Sequence, residues 1–171
     1  MTRAACLALC AGLALQACGG DVRRTHFAGG APWSEVHYAR GRPNGPVTTW
    51  HENGRKAREG AHVDGYQHGT WRTWGEDGTL LLEATFERGR ANGPWAEWWP
   101  SGAPKFRGTY REGRPDGAWH EFWDDGTRAF EASYAAGKPH GDIRMYGRDG
   151  VLVVTDTYEE GRFVQRRRPG R

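Results

Sequence analysis

Cysteine is missing from most of this 171-residue chain, because all three cysteines lie within the first 18 residues. The rest of the chain can therefore form no disulfide bond and offers no thiol nucleophile. No apolar run approaches the roughly 20 residues of a membrane-spanning helix. Hydrophobic residues make up only 37% of the chain and glycines number 26, which argues against an ordinary layered globule and favours an elongated repeat architecture.

The N-terminus has the pattern of a secretory signal. A positively charged start is followed by an apolar run of 12 residues, 4–15, which suits the hydrophobic region of a signal peptide. Residues 15–18, Leu-Gln-Ala-Cys, resemble a bacterial lipobox. We predict a signal peptide over 1–17 and a lipidated Cys18. The following residue is glycine rather than aspartate, which points to an exported lipoprotein of the outer membrane, facing either the periplasm or the surface. The alternative is an uncleaved apolar N-terminus of a cytosolic protein.

Both flanks of the central region are polar. Residues 18–32, with the lipidated cysteine at their start, are predicted to form a flexible tether. Five arginines lie in the final 11 residues, and 165–171 is predicted to be a basic tail. Subtracting these five and Arg3 from the net charge of +3 leaves −3 for the remainder. This acidic body and the predicted export argue against a nucleic-acid ligand.

A 24-residue unit is repeated five times between the flanks, without insertion or deletion. The copies span 41–64, 65–88, 89–112, 113–136 and 137–160, and a half-copy, Trp33–Tyr38, precedes them. Glycine occupies positions 5 and 14 of every copy, and aromatic-rich runs separate the two glycines, which predicts β-hairpins. The predicted turn glycines are Gly45, Gly54, Gly69, Gly78, Gly93, Gly102, Gly117, Gly126, Gly141 and Gly150.

The first of these turns sets the predicted register. Prolines two residues before the position-5 glycine favour a type I turn with a G1 bulge over positions 3–5. This turn pairs rings at position 22 with rings at position 10 of the next copy: Tyr38–Trp50, His62–Trp74, Phe86–Trp98, Tyr110–Phe122 and Tyr134–Tyr146. It also places a position-7 tryptophan over a position-1 glycine: Trp71 over Gly65, Trp95 over Gly89 and Trp119 over Gly113.

Side-chain alternation then assigns two faces to the sheet. The predicted core face carries these ring pairs together with Leu82, Phe106, Phe130, Val154, Ala84, Gly108 and Ala132. The opposite face carries an exposed strip of candidate partner-binding residues: Trp71, Trp95, Trp99, Trp119 and Trp123. The predicted fold is all-β, an elongated single-layer antiparallel meander of about 10 to 12 strands over residues 33–164.

The motif Gly-x-x-x-Gly-x-Trp-x-x-aromatic, with a second glycine at position 14 and Tyr-x-x-Gly at the end, resembles the MORN repeat. The resemblance is specifically to the bacterial MORN variant of antitoxin-like proteins, and it extends from Gly30 to Phe163. Val47 and Ile143 replace the position-7 tryptophan in the first and fifth copies. The resemblance implies β-hairpin repeats in an elongated curved sheet that is used for protein association.

Catalytic chemistry is not expected. His68 and His140 occupy the same position three copies apart and cannot share a metal ion. Asp124-Asp125 lies in a turn slot that is polar in other copies. No serine lies in a G-x-S-x-G elbow, and no phosphate-binding loop is present. We therefore predict no catalytic residue, no metal site and no cofactor.

Two functions remain for a repeat protein of this kind. The first is a membrane-tethered protein, a scaffold or an immunity or antitoxin-like protein, that binds another protein along the sheet. The second is a cell-wall or glycan-binding module that uses the tryptophan strip, since aromatic rings stack on sugars. The more prosaic explanation of the strip is structural, because its rings would cover glycines and stiffen a one-layer sheet.

Overall fold

The computed structural model describes residues 20–170, which form one antiparallel β-sheet. Its strands are β1 (Asp21–His26), β2 (Pro32–Ala39), β3 (Arg42–Trp50), β4 (Lys56–Val63), β5 (Tyr66–Trp74), β6 (Leu80–Glu87), β7 (Arg90–Trp98), β8 (Pro104–Arg111), β9 (Arg114–Pro115), β10 (Gly117–Phe122), β11 (Arg128–Ala135), β12 (Lys138–Tyr146), β13 (Leu152–Glu159) and β14 (Arg162–Arg167). Thirteen strands follow one another across the sheet in chain order, and the short β9 pairs with β8. The predicted all-β meander is confirmed, and the described residues contain no helix.

The sheet has 14 strands rather than 10 to 12, for two reasons. One predicted strand is interrupted at Asp116, between β9 and β10, although the Asp116 amide still donates to the Thr109 carbonyl of β8 at 2.9 Å. The other addition is β1, which lies in the segment predicted to be a flexible tether and pairs with β2. An edge strand exposes most of its side chains, so its composition can be as polar as that of a linker. For the same reason β14 continues to Arg167, inside the predicted basic tail.

The turn between successive copies is not where the sequence predicted it. Two-residue turns lie at the copy boundaries, where the last residue of one copy and the first glycine of the next both have positive φ, as in Arg40 (52°) and Gly41 (75°). This is the pattern of a type I′ hairpin turn. The position-5 glycines, such as Gly45 and Gly69, lie within or at the start of strands, where the register shifts. Their predicted role as turn glycines is wrong.

The position-14 glycines do lie in turns. The Gly54 amide donates to the His51 carbonyl, and the His51 amide donates to the Arg55 carbonyl, both at 2.9 Å. With Gly54 at φ 81°, this is a type I turn followed by a G1 bulge. The geometry expected at positions 3–5 therefore occurs at positions 12–14, and it recurs at Gly78, Gly102, Gly126 and Gly150.

The cross-strand pairs of the structure differ from the predicted ones. The predicted ring pairs and the predicted contacts of tryptophan with the position-1 glycines are wrong. Each position-22 ring instead lies opposite the position-5 glycine of its own copy: Gly45–His62, Gly69–Phe86, Gly93–Tyr110, Gly117–Tyr134 and Gly141–Tyr158. Position 7 lies opposite position 20, as in the pairs Trp71–Ala84, Trp95–Gly108 and Trp119–Ala132. Large and small side chains therefore alternate across the sheet.

This row of residues defines the aromatic face, which contains positions 7, 9, 18, 20 and 22 of each copy. Every buried hydrophobic residue of the described chain lies on it: Val47, Trp71, Ala84, Phe106, Ala132, Ile143 and Val154. Trp119 contacts three rings, Phe106 at 4.7 Å, Tyr134 at 5.0 Å and Tyr110 at 5.5 Å between centroids. Because the sheet has one layer, these side chains are buried by their neighbours within the same face.

The opposite, charged face carries positions 8 and 19. Arg72 donates to Glu83 at 2.6 Å and lies 3.6 Å from Glu59, so that three successive strands are joined by alternating charges. Exposed ion pairs of this kind contribute only about 0 to 1 kcal/mol each. The row of charges keeps this face polar and directs apolar packing to the aromatic face.

Charged residues end the aromatic face on both sides. Arg23 of β1 occupies position 7 and stacks over Tyr38, with its guanidinium carbon 4.2 Å from the ring centroid. At the other end, Arg166 of β14 donates twice to Asp156, each time at 2.7 Å, and this hydrogen bonding lowers the pKa of Asp156. Such ends discourage edge-to-edge association with further strands.

His62 makes the stability of the first copy depend on pH. Burial lowers the pKa of His62 below its ordinary value of 6.5, and the charge of Arg58 lowers it further. The unfolded chain therefore takes up this proton first, and folding stability is lost as the pH falls from about 6.5 towards the folded pKa. His62→Phe introduces the ring that the second copy has at the equivalent position, Phe86. Between pH 7.5 and 5, this variant should lose less free energy of unfolding than the wild type. Urea unfolding at both values measures this, and equal losses would contradict it.

Candidate functional site

The predicted strip of exposed tryptophans does not exist as one surface. Trp71 is only 3% exposed, and Trp95 and Trp119 are half-buried on the same face as the core rings. Trp99 and Trp123 follow β7 and β10 and are also half-buried. Side-chain alternation counted from the wrong turn placed the position-7 tryptophans on the opposite face. The structure nevertheless brings three of the five together: Trp99, Trp119 and Trp123 line one groove.

This aromatic groove has a volume of about 660 Å³ and opens on the aromatic face of the third to fifth copies. Its lining includes Glu97, Trp99, Lys105, Phe106, Tyr110, Trp119, Glu121, Phe122, Trp123, Phe130, Met145 and Arg148. The walls come from β7 to β12 and the loops between them, so backbone ladders hold them in place. Large rings with a few charged groups among them are typical of binding sites.

Each of the two position-11 tryptophans makes a cation–π contact with a basic side chain of the same chain. The Lys105 ammonium lies 5.3 Å from the centroid of Trp99, and the Arg148 guanidinium lies 4.8 Å from that of Trp123. The Trp99 indole N–H donates to the Phe122 carbonyl at 3.1 Å, which fixes the ring against the next hairpin. The Trp123 indole nitrogen is buried and has no acceptor among the described residues.

Two glutamates at position 9 face into the groove. Glu97 accepts hydrogen bonds from the Trp95 indole at 3.0 Å and from the Lys105 ammonium at 3.1 Å. Glu121 is exposed, and it lies opposite Phe106 on one neighbouring strand and Phe130 on the other. Sequence reasoning assigned neither glutamate to a binding surface. The signal was present, because positions 7 and 9 of a strand share a face whatever the register.

The tyrosines of the aromatic face stay protonated. Burial raises the pKa of Tyr110 and of Tyr134, and the nearby charges of Glu97 and Glu121, respectively, raise them further. Their hydroxyl groups are therefore neutral donors at physiological pH. The groove offers rings, carboxylates and the neutral hydroxyl group of Tyr110, which suit recognition of a ligand.

A second depression of about 950 Å³ lies near the copy-boundary turns of the second and third copies. Polar and charged residues dominate its lining, which includes Asp64, Glu87, Arg88 and Glu112. Asn92, also in the lining, accepts the Glu112 amide at 3.3 Å, and the equivalent Asn44 accepts the Asp64 amide at 3.4 Å. Several of these polar groups thus stabilise the turns.

The polar residues considered for catalysis are dispersed. His68 lies in β5 and His140 in β12, six strands apart. Both occupy position 4, inside the turn predicted over positions 3–5, but they are strand residues in the structure. Asp125 accepts the Thr127 amide at 2.8 Å, and Asp124 pairs with Arg148 at 2.6 Å. Over residues 20–170, no three histidine, cysteine, aspartate or glutamate side chains converge in a way that could hold a metal ion.

Comparison with known proteins identifies one repeat. The family model described as the MORN repeat variant matches residues 67–88, which cover most of the second copy. No curated protein matches the chain. No helix in the part of the chain that the structure describes is both long enough and apolar enough to span a membrane. The 67–88 match and the hairpin meander agree with the resemblance seen in the sequence.

Proposed function

We propose that this repeat chain is a non-enzymatic, membrane-tethered protein that binds another protein in the aromatic groove, as a scaffold or as an immunity or antitoxin-like protein. The observation that carries the proposal is the groove itself, a solvent-accessible recess of about 660 Å³ lined by three tryptophans and three phenylalanines. Aromatic anchors in recessed sites are typical of the residues that dominate binding energy in protein interfaces.

Rigidity of the groove supports the proposal. Its walls belong to consecutive hairpins whose backbones are paired along β7 to β12. Trp99 is also fixed by its hydrogen bond to the next hairpin. A site whose side chains are already ordered loses little conformational entropy when a partner binds.

The tether is the second part of the proposal. The Leu-Gln-Ala-Cys motif supports lipidation at Cys18 and export to the outer membrane, although Cys18 lies outside the described residues. Only Gly19 and Gly20 separate Cys18 from β1, a link of at most about 10 Å. The anchored end of the sheet would then lie at the membrane. The groove would lie about 40 Å along the sheet from β1, at about 4.8 Å a strand.

The glycan-binding alternative has less support. It depended on an exposed strip of five tryptophans, and Trp71, Trp95 and Trp119 pack into the aromatic face instead. Trp99 and Trp123 line the groove, but the ring of each already has a cationic side chain of the chain packed against it. A cell-wall polymer would need a row of free ring faces.

Site-specific photo-cross-linking tests the proposal on whole membranes. A benzophenone amino acid at Met145, which lines the groove and is 39% exposed, should yield one dominant protein adduct. The same probe at Arg107, on the charged face, is the matched control and should yield none. The double variant Trp99→Ala and Trp123→Ala should remove the adduct. Equal adducts at both positions would contradict the proposal, and sedimentation of the protein with purified peptidoglycan would favour the glycan-binding alternative.

The tether is tested by metabolic labelling. Palmitate should label the wild type and should fail to label Cys18→Ala, because only a lipobox cysteine receives the acyl chains. Two or more chains are needed for stable anchoring, so the variant should also leave the membrane fraction. Equal labelling of both proteins would contradict lipidation at Cys18.

A further inference from the structure

Two glutamates at the same position of successive copies differ in their partners. In the third copy, Glu97 is held by the Trp95 indole at 3.0 Å and neutralised by the Lys105 ammonium at 3.1 Å. In the fourth copy, the equivalent of Lys105 is Ala129, which has no charge. The equivalent indole, that of Trp119, donates instead to the Thr109 carbonyl at 3.4 Å. No described side chain is hydrogen-bonded or ion-paired to the Glu121 carboxylate.

The surroundings of Glu121 suit a cation. Phe106 and Phe130 lie opposite it on the two neighbouring strands, so the carboxylate has aromatic residues on both sides. A guanidinium or ammonium group is attracted both by a carboxylate and by aromatic ring faces. The same combination already operates within the chain, because Lys105 pairs with Glu97 while it lies over Trp99.

We infer that a basic side chain of the protein partner binds in the groove at Glu121, in place of the lysine that the fourth copy lacks. Arginine is favoured over lysine, because its planar guanidinium group can stack on a ring and donate two hydrogen bonds to one carboxylate. The inference rests on the proposed function, and it adds the chemistry of the group that enters the groove. Glu121 is exposed, so the carboxylate can be reached without rearranging the sheet.

Short peptides test the inference on the full chain. The probes are acetyl-Gly-Arg-Gly-amide and the same peptide with citrulline, which keeps the shape of arginine and lacks its charge. Binding is followed by NMR through the indole N–H signals of Trp119 and Trp123. We expect the arginine peptide to shift these signals and the citrulline peptide to bind at least about tenfold more weakly, which corresponds to 1.4 kcal/mol.

Three variants locate the cation. Glu121→Gln should weaken the arginine peptide at least about tenfold, because it removes the charge and leaves the rings. Ala129→Lys restores the lysine of the third copy and should block the site from within the chain. Glu52→Gln, the same change in an exposed turn far from the groove, should leave the affinity unaltered. Melting curves should show all three variants folded, since Glu121 and Glu52 are exposed and Ala129 is half-buried.

The outcomes separate this inference from the proposed function. Equal affinity for the arginine and citrulline peptides, or no shift with either peptide, would overturn the basic-side-chain inference. So would full affinity in Glu121→Gln. The proposed function is judged independently by the adduct at Met145. If Glu121→Gln still gives the adduct at wild-type yield, protein binding in the groove is supported and recognition of a basic side chain at Glu121 is contradicted.

Discussion

Replacing Trp71 by alanine should lower the free energy of unfolding by about 3 to 5 kcal/mol, the usual cost of truncating a buried tryptophan. The ring is only 3% exposed, and it lies between Ala84 on one neighbouring strand and Gly60 on the other. The His62 ring meets it edge-on at 5.1 Å, and the Arg58 guanidinium lies 4.4 Å from it. A single-layer sheet has no second layer that could collapse into the cavity.

Urea unfolding followed by circular dichroism measures this loss, and hydrogen exchange locates it. Each hairpin contacts only its neighbours in the sheet, so protection should fall most in β4, β5 and β6. Trp71→Phe is the matched control. It keeps an aromatic ring and removes an indole N–H that is buried without an acceptor among the described residues, so it should cost much less than alanine. A loss below about 1 kcal/mol for Trp71→Ala would show that this ring is not the centre of the packing.

Replacing Gly60 by alanine should destabilise the protein by about 1 to 3 kcal/mol through overpacking. A methyl group at Gly60 would lie 2.5 Å from Trp71 Cε2 and 2.7 Å from Cγ, and it would also overlap Cδ2. The buried indole cannot move aside, because the neighbouring side chains enclose it. Gly60 is thus needed for the close approach of the ring.

A double-mutant cycle distinguishes this cause from a general effect of alanine in a strand. Once Trp71→Ala has removed the ring, Gly60→Ala should cost little or stabilise slightly, so the two changes should be strongly non-additive. Glycine in a strand interior is otherwise less favourable than alanine. Additive losses from the two changes would contradict a steric clash between Gly60 and Trp71.

The turn between successive copies, which the sequence analysis placed at positions 3–5, shows where local sequence signals fail. Asn44-Gly45 and Asn92-Gly93 are strong turn signals, yet these glycines lie in strands, while the real turns use pairs such as Arg40-Gly41. A non-glycine residue in the left-handed region costs about 1 to 2 kcal/mol. That cost is small compared with the free energy gained when the rings of the aromatic face pack together. A register shifted by one residue would turn these rings to the other side of the sheet.

The candidate site was only partly predicted from the sequence. Trp99, Trp119 and Trp123 were identified as candidate residues, but Trp71 and Trp95 were included with them because the faces were counted from the wrong turn. Glu97 and Glu121 were not assigned to a binding surface, although each shares a face with the tryptophan two residues before it. A groove is formed by residues from different strands, so its lining depends on the register between strands. Alternation within one strand cannot supply that register.

The 24-residue period, the all-β class, the order of strands and the turns at the position-14 glycines could all be read from the amino-acid sequence. They depend on local backbone preference and on neighbours in the chain. The tertiary structure alone decided the register across the copy boundaries, and with it the burial of Trp71 and the place of Glu121 in the groove. In a one-layer sheet each ring is covered by residues of other strands, so burial depends on the packing of the whole face and on no single repeat.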